Sequence, residues 1–71
     1  MYFSRLKDLR EDKDLNQTQL ANLLFMKQQQ YSRYETGKIE IPLNILISLA
    51  DFYNVSLDYL TGRTDKKYVL K

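Results

Sequence analysis

The chain has 71 residues, no cysteine, no histidine and a formal net charge of +2. That length suits one small domain near the lower limit for folding on its own core, and without cysteine no disulfide or thiolate metal site can make up for a small core. Without histidine the commonest general base and the commonest metal ligand are missing, so neither an enzyme, a metal centre nor a cofactor is expected.

Proline and glycine are scarce, with one and two copies, and no β-type alternation occurs, so helix is the expected element throughout. The first helix is expected at about 2–13, where Tyr2, Phe3, Leu6 and Leu9 make an apolar stripe. Arg10 lies four residues after Leu6 on that same inward stripe. A guanidinium there needs a partner, because an unpaired buried charge is costly. Asn16 is a good N-cap for a second helix at 17–24 and forms a capping-box pattern with Gln19. Leu20, Ala21 and Leu24 make its inner face, and Phe25-Met26 forms the corner.

A third helix is expected at 28–36, with Gly37 as its stop. At about 100° per residue, Gln28, Gln29, Ser32 and Arg33 share one arc, and Tyr31 and Tyr34 occupy the other. Gln30 and Glu35 fall at the edge of the inner arc, which makes Glu35 the obvious partner for Arg10. Pro42 sits where an N1 proline would open a fourth helix, 42–53. Its apolar residues face nearly every side, so it is expected to be largely buried. Ser56 caps a short fifth helix at 57–61, with Gly62 as its stop. No firm pattern follows, and Tyr68, Val69 and Leu70 either dock or remain mobile.

Charge is uneven along the chain. Residues 15–39 carry Lys27, Arg33 and Lys38 against Glu35 alone, and residues 40–61 carry Glu40, Asp51 and Asp58 with no basic residue. From Gly62 on, Arg63, Lys66, Lys67 and Lys71 stand against Asp65. Such polarity would turn the middle of the chain and the tail toward a polyanion. Arg5, Lys7 and Asp8 interrupt the N-terminus before a signal-like apolar run can develop, and the longest apolar block, Ile45 to Ala50, is too short to span a bilayer. A soluble, cytoplasmic protein without membrane contact is expected.

The run LNQTQLANLLFMKQQQYSRYETGK, followed by IPLNILISLADFYNVSLDYLTG, resembles the Cro/cI-type, or XRE-like, helix-turn-helix family over roughly Leu6 to Leu60. The resemblance implies an all-α, compact five-helix bundle of the lambda-repressor-like type. It divides the chain into a helix-turn-helix domain, 1–61, with its motif at 17–36, and a basic tail, 62–71. Ala21 would lie where the second and third helices cross, with Leu20, Leu24, Met26, Tyr31 and Tyr34 filling the wedge between them. The third helix would then stand free to enter a major groove roughly 12 Å wide.

By the same resemblance Gln28, Gln29, Ser32 and Arg33 face the bases, and Gln17, Lys27, Lys38 and Asn44 contact phosphates. Arg10 and Glu35 match the family's buried ion pair. Two positions depart from the pattern. Phe25 stands where the family has glycine, so either the turn differs or the ring makes compensating apolar contact; a left-handed residue other than glycine costs roughly 1–2 kcal/mol. Lys27 stands where a serine or threonine would cap the third helix, and its charge is unfavourable beside a helix N-terminus unless a phosphate sits there.

The expected function is sequence-specific binding of double-stranded DNA by a transcriptional regulator, a repressor acting as a homodimer. A single recognition helix reads too few base pairs to bind tightly alone. The alternative is an antitoxin or other partner-binding module of the same fold that engages a protein through its tail. The candidates for the dimer surface are Ile45, Tyr53, Val55, Leu57 and Tyr59 of the fourth-to-fifth helix region, whose apolar residues could equally be core, and the segment Tyr68 to Leu70.

Overall fold

The computed structural model describes residues 2–67. All its regular structure is helical: α1 (Ser4–Asp12), α2 (Gln17–Leu23), α3 (Gln28–Glu35), α4 (Leu43–Tyr53) and α5 (Leu57–Leu60). Each helix contributes one large, fully buried side chain to a single core, in order Leu6, Leu20, Tyr31, Leu49 and Leu60. Leu9, Ala21, Ala50 and Tyr53 complete the cluster. α3 therefore rests on α1 and α2 through its inner arc, and the helix-turn-helix angle is set by packing.

The expected helices form with edges moved by one or two residues, and each shift has a local cause. Phe3 is the extended N-cap of α1, so the helix begins at Ser4 rather than Tyr2. Pro42 is not the first helical residue. Its ψ is 148° and its carbonyl accepts from the Ile45 and Leu46 N–H groups, so it caps α4 from outside. At α2 the Asn16 side chain accepts from the Gln19 N–H at 2.7 Å while the Gln19 side chain accepts from the Asn16 N–H at 2.9 Å, the expected capping box. Ser56 caps α5 by accepting from the Tyr59 N–H at 3.0 Å.

Two expectations are corrected. α4 is not largely buried: it turns Leu49, Ala50 and Tyr53 inward, half-buries Ile45 and Leu46, and leaves Leu43, Ile47 and Phe52 exposed. A domain with so few helices can cover only one stripe of each. Tyr53 is in the core and drops out of the candidate dimer surface, whereas Ile45, Val55, Leu57 and Tyr59 remain half-exposed.

Beyond Gly62 the chain turns back onto the helices. The Arg5 guanidinium donates to the carbonyls of Tyr59 and Thr64, pairs with Asp65 at 2.9 Å, and stacks 4.0 Å above the Tyr59 ring. The Ser56 N–H donates to the Lys67 carbonyl at 2.7 Å. Residues 63–67 are thus packed against α1 and α5. The segment Tyr68 to Leu70, expected to meet a partner, lies outside the described residues, as does Lys71.

Candidate nucleic-acid interface

α2 and α3 meet at an elbow formed by Leu24, Phe25 and Met26. Ala21 is buried at that crossing, where any larger side chain would separate the helices. Met26 N–H donates back to the Ala21 carbonyl at 3.0 Å and Phe25 N–H to that of Asn22 at 3.2 Å, a Schellman ending for α2. Phe25 takes the left-handed residue of that motif, with φ at 57°. The turn therefore keeps the conformation that suits glycine, and the Phe25 ring is 97% exposed. Both expected ways of accommodating this residue are overturned: the backbone does not change, and the ring finds no internal apolar contact.

The arcs of α3 separate as the helical angle requires. Tyr31, Tyr34 and Glu35 are buried, whereas Gln29 and Arg33 are exposed and Gln28 and Ser32 half-exposed. Gln29 and Arg33 line a shallow cleft on one flank of α3 with Lys27, Gln30 and Ile39. Gln30 is tied to its own helix by a 3.0 Å hydrogen bond to the Tyr34 hydroxyl. Lys27 is the N-cap of α3 and makes no side-chain cap bond. Lys38 follows Gly37, whose φ of 79° closes α3, and Asn44 is exposed in the first turn of α4.

One link was not legible in the sequence. Gln28 donates from its amide nitrogen to Gln17 Oε1 at 2.7 Å, joining the first residue of α3 to the first residue of α2. The two residues lie on different helices, so no helical spacing signals the contact; only the elbow brings them together.

The Arg10–Glu35 pair is bidentate, with Nε to Oε2 at 3.1 Å and Nη2 to Oε1 at 2.9 Å. Arg10 Nη1 also donates to the Leu15 carbonyl at 2.8 Å, pinning the link between α1 and α2. The hydrogen bond with Glu35 raises the Arg10 pKa above its ordinary value. Burial, reinforced by the Glu35 charge, raises the pKa of Tyr31 and Tyr53 well above the usual tyrosine range. Because Glu35 is consumed by Arg10, the surface of residues 16–38 offers Lys27, Arg33 and Lys38 and no free carboxylate. A polyanion approaching α3 meets positive charge and amide groups.

Among the described residues no three carboxylate, imidazole or thiolate side chains gather as a metal site, and no described helix is long and apolar enough to cross a membrane.

A helix-turn-helix family model matches residues 6–60. The chain is 40% identical over 65 residues to the uncharacterized HTH-type transcriptional regulator YobD of Bacillus subtilis, covering 92% of this chain and 58% of that protein. It is 36% identical over 70 residues to the SPbeta prophage-derived uncharacterized HTH-type transcriptional regulator YonR of the same organism, covering 99% and 65%. Over 65 residues it is 34% identical to the cryptic phage CTXphi transcriptional repressor RstR of Vibrio cholerae, covering 92% and 59%. The chain thus spans about three fifths of the length of these relatives. No solved structure gives a significant match.

Proposed function

This chain belongs to the helix-turn-helix family, and from that premise we propose that it is a sequence-specific DNA-binding domain of a transcriptional regulator. α3 enters the major groove with Gln28, Gln29, Ser32 and Arg33 toward base edges. Glutamine matches adenine and arginine matches guanine in bidentate fashion, each discriminating by about 1–3 kcal/mol. Gln17, Lys27, Lys38 and Asn44 meet phosphates, and the exposed N–H groups at the start of α2 assist. The observation that carries this reading is the split of α3: its one carboxylate is buried on Arg10, and its outer arc presents only amide, hydroxyl and guanidinium groups. The Gln17–Gln28 hydrogen bond supports it further, since it couples a phosphate-side residue to a base-side residue and fixes the rotamer of Gln28 before DNA arrives.

The functional unit of this reading is residues 1–61 with the basic segment 62–71 attached. It acts in the cytoplasm as a homodimer on a two-fold operator, and repression is the mode; the repressor named among its relatives supports that mode. The groove between α4 and α5, where the exposed Ile47 and the half-exposed Val55 and Leu57 lie beside Asp51 and Asp58, is the surface offered to a second copy.

Selection of bound sites from a random duplex pool, followed by titration at several salt concentrations, tests the reading. Affinity should fall steeply between low and moderate salt as counterions return to the DNA. Gln29→Ala should relax base preference at one position of each half-site, whereas Lys38→Ala should weaken all duplexes alike and flatten the salt slope by about one. Failure of the native chain to bind any duplex at low salt would overturn the proposal. Identical effects of the two substitutions would overturn the division between reading and positioning residues.

A further inference from the structure

All five helices end in the same way. Asp14, Phe25, Gly37, Asn54 and Gly62 follow α1 to α5 with φ of 56°, 57°, 79°, 55° and 82°. In each case that residue's N–H and the next one turn back to the closing helical turn, as in Leu15 to Arg10, Met26 to Ala21, Lys38 to Arg33, Val55 to Ala50 and Arg63 to Asp58. Glycine, asparagine and aspartate enter the left-handed region readily. Phenylalanine does not, and it sits at the one such corner that leads into α3. Its ring contacts nothing that would offset the strain, being 97% exposed. Other exposed apolar residues, such as Leu43 and Ile47, lie in ordinary helix and carry no such burden. Folding alone thus gives no reason for an aromatic residue here, and an uncompensated outlier of this kind points to a contact outside the chain.

We propose that Phe25 is a DNA-contact residue, its ring covering apolar duplex surface, a thymine methyl or a deoxyribose, beside the first turn of α3. The inference rests on the DNA-binding reading above. Phe25 lies two residues before the N-cap of α3, so its Cα is within roughly 8 Å of that of Lys27. Whatever receives the N-terminal end of α3 comes within reach of the ring. Residues 16–38, which flank Phe25 in the chain, carry no carboxylate but the Arg10-paired Glu35, and Lys27 alongside can hold a phosphate. A rigid aromatic side chain loses little conformational freedom when covered.

The residue should therefore have opposite effects on folding and on binding. In the full chain, Phe25→Gly should raise the thermal midpoint by several degrees, because the left-handed strain disappears. The same substitution should weaken binding to the duplex selected by the native chain by about tenfold, the worth of covering much of a ring. The salt slope should stay unchanged, because no phosphate contact is lost. Phe25→Asn, which also tolerates the left-handed region, should reproduce the binding loss. Replacing thymine by uracil at each position separates the two surfaces. A loss for the native chain that Phe25→Gly does not share identifies the methyl; no such loss identifies the deoxyribose. If Phe25→Gly is more stable and binds within twofold of native, the assignment is wrong while DNA binding stands. If the native chain binds no duplex at all, both fail.

Discussion

Arg10→Met should lower the free energy of unfolding by about 3–5 kcal/mol, because it leaves the Glu35 carboxylate buried without its partner. A chain of this size has roughly 4–10 kcal/mol in total, so the loss takes a large share of its stability. Adding Glu35→Leu should restore much of the loss, since the remaining apolar pair no longer buries a charge. Recovery should be incomplete, because Arg10 also donates to the Leu15 carbonyl and neither replacement supplies a donor there. Urea unfolding of the two single variants and the double variant closes the cycle. Additive losses would show that the pair is not coupled. Glu35 lies on α3 and Arg10 on α1, so the pair ties α1 to the helix proposed to read DNA.

Tyr31 should give two results of very different size. Tyr31→Ala removes a fully buried aromatic residue from the α1–α2–α3 junction and should cost about 3–5 kcal/mol. Tyr31→Phe should be close to neutral, because the buried hydroxyl lies near the Glu35 carboxylate, which Arg10 already engages, and makes no well-formed hydrogen bond among the described residues. The same hydroxyl governs alkaline stability. Its pKa is raised on folding, first by burial and then by the Glu35 charge, and Tyr53 is raised for the same two reasons. The native state holds these protons more tightly than the unfolded chain does. Their contribution is therefore fully present below the unfolded tyrosine pKa of about 10 and is lost as pH rises above it toward the folded values. Thermal midpoints measured from pH 8 to pH 11.5 should fall above pH 10, and less steeply in Tyr31→Phe. A fall of equal steepness in both proteins would remove Tyr31 from the account.

Much of the fold was legible because its signals are local. Asn16 with Gln19, Ser56, Gly37 and Gly62 mark helix ends through bonds made within four residues, and each does so in the structure. The arcs of α3 follow from helical angle alone, which is why Tyr31, Tyr34 and Glu35 could be assigned inward. The reach from Arg10 to Glu35 spans 25 residues but was still inferable, since a charge on an apolar stripe demands a partner and Glu35 was the one carboxylate on an inner arc. α4 was misread because an apolar residue reports what could be buried, not what the rest of a small domain has enough surface to cover. Leu43 stays 64% exposed for that reason.

The sequence by itself therefore determined where the helices start and stop to within one or two residues, which face of α3 is polar, and the family to which the chain belongs. These depend on bonds and periodicities confined to a few neighbouring residues. Tertiary structure alone decided that Gln17 and Gln28 touch, that Arg5 fastens residues 64 and 65 to the helical body, and that one face of α4 is left open. It also decided that Phe25 keeps the left-handed corner with its ring in solvent. Each of these is set by how the elements cross in space, and no local propensity encodes a crossing.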